Sequence, residues 1–102
     1  LDCSGLIVRV YADLDKPLNV RTAHQIITQA GTPVDELALQ PGDLIGFATR
    51  GSGHYHHIGI YAGKDPSGNR LMIHAPDVGG HVEQVPLDTA YWLGMHWQAV
   101  RI

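Results

Sequence analysis

The chain has 102 residues, 44% of them hydrophobic, and a formal net charge of -3, which is room for one hydrophobic core and too little for two domains. It has no basic run to offer nucleic acid or an anionic membrane, and no apolar run reaches the ~20 residues that span a bilayer. A single cysteine cannot close an internal disulfide, so pairing sets no redox compartment. Charged residues, at 17%, fall below the ~25% usual for soluble domains. The 12 glycines predict many turns and close backbone approaches.

The opening Leu1-Asp2-Cys3-Ser4-Gly5-Leu6 holds that cysteine and runs straight into an apolar-periodic segment. Leu6, Val10 and Leu14, with Ile7 and Tyr11 beside them, predict a helix from Cys3 to about Leu14, ended at Asp15-Lys16-Pro17 by the restriction before proline. A thiol in the first turn of a helix faces unpaired N–H groups and the positive end of the dipole, both of which favour the thiolate. Asp2 suits the N-cap. The small residues Ser4 and Gly5 leave space for a carbonyl to approach backbone donors, an oxyanion hole in outline. The alternative for Cys3 is that of most free cysteines, a small buried hydrophobe.

Thr22 and Gln25 form a capping box for a second helix bearing Ala23, Ile26, Ile27 and Ala30, closed by Gly31. From Pro33 the pattern turns to short apolar runs. The Pro41-Gly42 turn delivers a strand over Leu44 to Ala48, followed by a loop over Gly51 to His54. Further strands are predicted over 57–63, 71–75, 82–85 and 95–102, with turns at Asp65-Pro66-Ser67-Gly68 and Gly79-Gly80 and a stop at Pro76. Trp97 and Val100 fall on opposite faces of the last strand. Helices followed by a strand meander make an α+β fold: a cysteine-bearing helix packed on an antiparallel sheet of about five strands.

Register decides which of the seven histidines can serve Cys3. Placing Ile58 and Ile60 on one face with Leu71 and Ile73 pairs Ile58 with Ile73 and leaves a four-residue loop. His57 then stands directly opposite His74 on the other face, with Gly59 leaving a gap where a helix N-terminus could fit. In that arrangement His57 takes the Cys3 proton and His74 orients the His57 ring. Nothing ties His54, His56, His81 or His96 to Cys3. A zinc site from His54, His56 and His57 with His74, Asp77 or Cys3 is disfavoured. His56 and His57 point to opposite faces of one strand, and neither a His-x-x-x-His nor a Cys-x-x-Cys motif is present.

The successive segments Asp2-Cys3-Ser4-Gly5-Leu6, Leu39-Gln40-Pro41-Gly42-Asp43-Leu44, His57-Ile58-Gly59-Ile60-Tyr61 and Ile73-His74-Ala75-Pro76 resemble, in order, the signatures of the NlpC-type papain-like cysteine peptidases of bacterial cell walls. The Arg21, Thr22 and Gln25 region is similar as well. The resemblance implies a papain-like core hydrolysing peptidoglycan stem peptides, most often between D-γ-glutamyl and a diamino acid, through a thioester acyl-enzyme. It implies Cys3 as nucleophile, His57 as base and His74 as the orienting residue. Asp2 and Ser4 match as supports of the cysteine turn, and Tyr61 as packing.

The reaction calls for no cofactor and no metal. The partner expected is a peptidoglycan stem peptide, with no nucleic acid and no membrane insertion, and the location is secreted or cell envelope, bacterial or phage-associated. Because the chain begins at Leu1, a single domain over 1–102 is expected as a monomeric piece of a larger multidomain parent, without the family's N-terminal lead-in and its cleft tyrosine. Competing readings are a CHAP-like peptidoglycan amidase or phage lysin, and a non-catalytic wall-binding or structural domain.

Overall fold

A computed structural model describes residues 3–76 and 81–102; Asp2, Asp77 and the Gly79-Gly80 turn lie outside the described residues. Helix α1 covers Cys3–Asp13 and buries Cys3, Ser4, Gly5, Leu6 and Ile7. Its inner face continues through Val8 and Tyr11, whereas Leu14 is 61% exposed, so the stripe from Leu6 through Val10 to Leu14 is not the buried one. The cysteine end enters the core and the other end leaves it. Nor does proline stop the helix. Asp15 takes a left-handed φ of 58°, and the N–H groups of Asp15 and Lys16 return to the carbonyls of Ala12 and Tyr11, the hydrogen-bond pattern of a Schellman turn.

Helix α2 covers Ala23–Gln29 and starts at the expected capping box: Thr22 accepts from the Gln25 N–H, and the Gln25 side chain accepts from the Thr22 N–H. Strand β1 (Thr32–Val34) and a 3₁₀ turn (Glu36–Ala38) follow. Then come β2 (Leu44–Ala48), β3 (Tyr55–Lys64), β4 (Arg70–His74), β5 (Glu83–Pro86), the short helix α3 (Ala90–Leu93) and β6 (His96–Arg101). The sheet has six strands in the order β1-β6-β2-β3-β4-β5, against the five expected. The extra strand, Thr32–Val34, is too short to carry an alternation and is recognisable only by its pairing with β6.

Each face of the sheet has its own core. Helices α1 and α2 cover one, joining Cys3, Ile7, Ile26 and Ile27 to Leu44, Ile58 and Val100. At Gly46 an added Cβ would lie 2.4 Å from Ile27 Cγ1, so only glycine lets α2 come this close. The other face gathers Ile45, Phe47, Tyr61, Met72, Leu87 and Ala99, with Trp92 and Trp97 against them. Trp97 and Val100 do fall on opposite faces. The Pro41-Gly42 turn is closed by the Asp43 N–H to Gln40 C=O bond, with Gly42 at φ 98°. The buried Asp43 carboxylate accepts two 2.8 Å bonds from Arg101, tying the start of β2 to the end of β6. None of the described helices is long and apolar enough to cross a membrane.

The β3–β4 register differs from the one expected. Ile60, not Ile58, faces Ile73, Tyr61 faces Met72, and a bulge at Ala62 brings Gly63 opposite Leu71. Ile58 finds its partner on β2, opposite Gly46. The shift originates in the turn. The Asp65 carboxylate accepts from the N–H groups of Ser67 and Asn69, organising a loop longer than four residues, and Gly63 supplies the left-handed φ of 88° beside the bulge. Extending the observed pairs past Ile60–Ile73 sets His74 across from Gly59, so His57 is its diagonal neighbour on the same face rather than its direct opposite. The space above Gly59 is not an opening for a helix: an added Cβ would be 2.6 Å from Met72 Sδ. Helix α1 packs instead with Ile58, on the face opposite to the histidines.

Candidate active site

Cys3 begins α1 and is 5% exposed. Beside it the buried Ser4 hydroxyl accepts a 3.2 Å bond from Arg21 Nη1, which links the first turn of α1 to the segment leading into α2. Cys3, Ser4, Arg21 and Thr22 line an open cleft of about 490 Å³ together with His54, Tyr55 and His56. The sequence offered no link between Cys3 and His54 or His56. The chain reversal over residues 51–54 makes one, by starting β3 beside α2. There the His24 ring stacks on His54 at 4.9 Å, and its Nδ1 accepts from the Tyr55 N–H at 3.2 Å. Tyr55 Oη meets His96 Nε2 at 3.3 Å. Among the described residues, no group of three His, Cys, Asp or Glu side chains converges as a metal site.

His57 on β3 and His74 on β4 are both buried, and the structure brings them together: His57 Nε2 lies 2.8 Å from His74 Nδ1. A diagonal pair on one face of a sheet has Cβ atoms up to ~7–8 Å apart, a span two imidazole rings can bridge edge to edge, and the rings meet nearly perpendicular, at 86°. Beyond them, His74 Nε2 lies 3.0 Å from Glu83 Oε1, because β5 pairs Glu83 with His74. Trp92 holds both rings. It stacks on His57 at 5.4 Å and 18° and meets His74 edge-on at 5.4 Å. Phe47 packs beside Trp92, 4.6 Å from its ring and 6.2 Å from that of His57.

Glu83 and Trp92 are absent from the sequence reading. Glu83 was legible in part, since a strand over 82–85 was expected and only its pairing partner was not. Trp92 sits in α3, a single turn marked by Thr89, whose hydroxyl accepts from the Trp92 N–H. Its far end is held by Arg50, which donates to the Gly94 and Leu93 carbonyls. A larger groove of about 620 Å³, lined in part by Arg50, Leu93, Trp97 and Gln98, contains none of Cys3, His57 and His74.

A helix-borne cysteine and a buried imidazole pair on an antiparallel sheet match the NlpC/P60 family, whose model covers residues 1–101. The chain belongs to the NlpC/P60 family. Murein DD-endopeptidase MepH of Escherichia coli is 35% identical over 92 residues, 89% of this chain and 32% of that protein. The probable endopeptidase NlpC of the same organism is 38% identical over 103 residues, all of this chain and 62% of that one. A gamma-D-glutamyl-L-lysine dipeptidyl-peptidase of Bacillus cereus is 38% identical over 89 residues, 86% of this chain and 25% of that protein. The chain therefore spans less than two thirds of these relatives. A crystal structure of an NlpC/P60 protein from Bacillus cereus superposes with a TM-score of 0.85 at 33% identity, covering 99% of this chain and 31% of that one. This NlpC/P60 domain thus has the α+β core expected of it.

Proposed function

We propose that the domain hydrolyses bacterial cell-wall peptidoglycan as a cysteine endopeptidase. Cys3 is the nucleophile, His57 the general base, His74 its orienting partner, and the bond cut is that between D-γ-glutamyl and a diamino acid of the stem peptide. The observation that carries this reading is the 2.8 Å contact between the buried His57 and His74 rings, in a chain whose sole cysteine opens a helix. Cys3 and His57 come from opposite faces of the sheet. In this reading they come together past the end of β4, where β3 runs on from Ile60 to Tyr55 beyond its last β4 pair.

His57 takes the Cys3 proton, and the thiolate attacks the scissile carbonyl while N–H groups of the first turn of α1 hold the oxyanion. The His57 imidazolium then protonates the leaving amine, a thioester remains, and water activated by His57 releases the acid. Ser4, bonded to Arg21, supports the cysteine turn. Arg21, the one fixed cation among the cleft-lining residues, faces the free carboxylate that a γ-linked glutamyl residue retains. The γ-D-glutamyl bond accords with the name of the Bacillus cereus relative. The site of action is the cell envelope or the exterior, within a larger bacterial or phage parent.

Two measurements test this. Cys3 alkylation should proceed well below pH 7 and lose that reactivity in His57→Ala; a thiol titrating near the ordinary value of ~8.5 in both proteins contradicts the pair. Digestion of purified peptidoglycan should expose a new amino group on the diamino acid. A new amino group on L-alanine would make the enzyme an amidase instead.

A further inference from the structure

His57, His74 and Glu83 form one hydrogen-bonded row across β3, β4 and β5, and with Glu83 ionised and both rings neutral one arrangement of hydrogens satisfies it. An ionised carboxylate only accepts hydrogen bonds, so Glu83 Oε1 at 3.0 Å requires the hydrogen of His74 on Nε2. A neutral His74 then has its lone pair on Nδ1. The contact of 2.8 Å from that atom to His57 Nε2 requires His57 to donate, which leaves the lone pair of a neutral His57 on Nδ1. Both rings are buried and held in plane by Trp92. Ring orientation is therefore set by packing, and what remains to be set is the tautomer.

We propose that Glu83 is a positioning residue that fixes the Nε2–H tautomer of His74 and, through it, that of His57, keeping His57 Nδ1 available as the base; this rests on the cysteine-peptidase reading of the same site. In the cycle the thiol proton moves to His57 Nδ1 and from there to the leaving amine. The Nε2–H bond to His74 persists throughout, and no proton reaches Glu83. Without the carboxylate the row can reverse. His74 then carries its hydrogen on Nδ1 and donates to His57 Nε2, and the His57 hydrogen sits on Nδ1, where it cannot accept one. A base held in the wrong tautomer is a large loss in triad enzymes generally.

The test reads tautomers and turnover separately. Two-bond ¹H–¹⁵N spectra of the full chain carrying Cys3→Ala, which removes the thiolate charge, should show His57 and His74 both protonated on Nε2. Adding Glu83→Met, similar in length but without an acceptor of that strength, should move both rings toward the Nδ1–H form. With Cys3 intact, Glu83→Met should lower kcat about 10- to 100-fold with KM unchanged, the usual cost of losing an outer partner of an imidazole. Glu83→Gln, whose amide oxygen still accepts, should recover most of the loss. If His57 and His74 stay Nε2–H in Glu83→Met, or kcat is unchanged, the proposal is overturned. Should Glu83→Met fail to fold, Glu83→Ala at the same edge-strand position is read by the same spectra. A wild-type chain that hydrolyses no peptidoglycan removes the peptidase reading, while the spectra still decide the role of Glu83.

Discussion

Cys3 sits among aliphatic neighbours on the helix-covered face of the sheet, with Ile7, Ile26 and Ile58, whereas His57 and His74 lie on the other face against Phe47 and Trp92. The two surroundings suit different tasks. An aliphatic wall gives a thiol no counter-charge, so a reactive thiolate there depends on the helix dipole and on an imidazole brought to it. Aromatic walls hold imidazole rings flat and leave their edges free for hydrogen bonds, so the base can be oriented before any substrate arrives. On the proposed mechanism the difference divides labour across a single sheet: one face would present the nucleophile, and the other would prepare the base.

The largest effects should come from breaking that division at its centre. Cys3→Ala and His57→Ala should each lower peptidoglycan hydrolysis by about 10⁴-fold or more, read as kcat/KM on a defined stem peptide. His74→Ala should cost about 10²–10³-fold; if it matched His57→Ala, His74 would share the proton chemistry rather than orient it. Trp92→Ala sharpens the histidine-face half of the contrast. Losing the ring should cost about 2–3 kcal/mol in urea unfolding and lower kcat as well, whereas Trp97→Ala on the same face should destabilise without a selective loss of kcat.

Gly59→Ala forces a Cβ to within 2.6 Å of Met72 Sδ and 3.2 Å of the Ile73 carbonyl oxygen. Overpacking should cost about 1–3 kcal/mol and disturb the diagonal between His57 and His74; an unchanged stability would show that Met72 simply moves aside. The smallest effect on catalysis belongs to Asp43. Burial raises its carboxyl pKa, but the Arg101 hydrogen bonds and the Gln40 N–H outweigh burial and hold it below the ordinary carboxylate range. Its contribution is therefore complete above the unfolded value of ~3.9 and disappears as pH falls through the lower folded value. Asp43→Asn should lower Tm at pH 7 by about 5 °C, converge with the wild-type chain in acid, and leave kcat untouched.

Local signals were read well where one physical rule dominated. The capping box of Thr22 and Gln25, the Pro41-Gly42 turn and the limits of β2 depend on neighbours a few residues apart, and the structure has them as expected. Helix α1 ends within a residue of the expected place, but for a different reason: a left-handed aspartate, Asp15, satisfies the final carbonyls before the proline acts. The β3–β4 register was misjudged because alternation alone is blind to an inserted residue. Once Asp65 had lengthened the loop and Ala62 had bulged, Ile58 belonged to β2. His57 and His74 still share a face, because a two-residue slip preserves parity, and their meeting survived an incorrect pairing for that reason.

By itself the sequence determined a helix with the lone cysteine in its first turn, the antiparallel meander, and two histidines on one side of it, since helical and strand periods and turn chemistry are local properties of the chain. Only the tertiary structure decided that β6 inserts between β1 and β2, that Glu83 extends the histidine row, that Trp92 returns to clamp both rings, and that His54 and His56 line one cleft with Cys3. Those contacts join residues distant in sequence, and what selects them is the burial of two separate faces of a single sheet, a constraint no local pattern expresses.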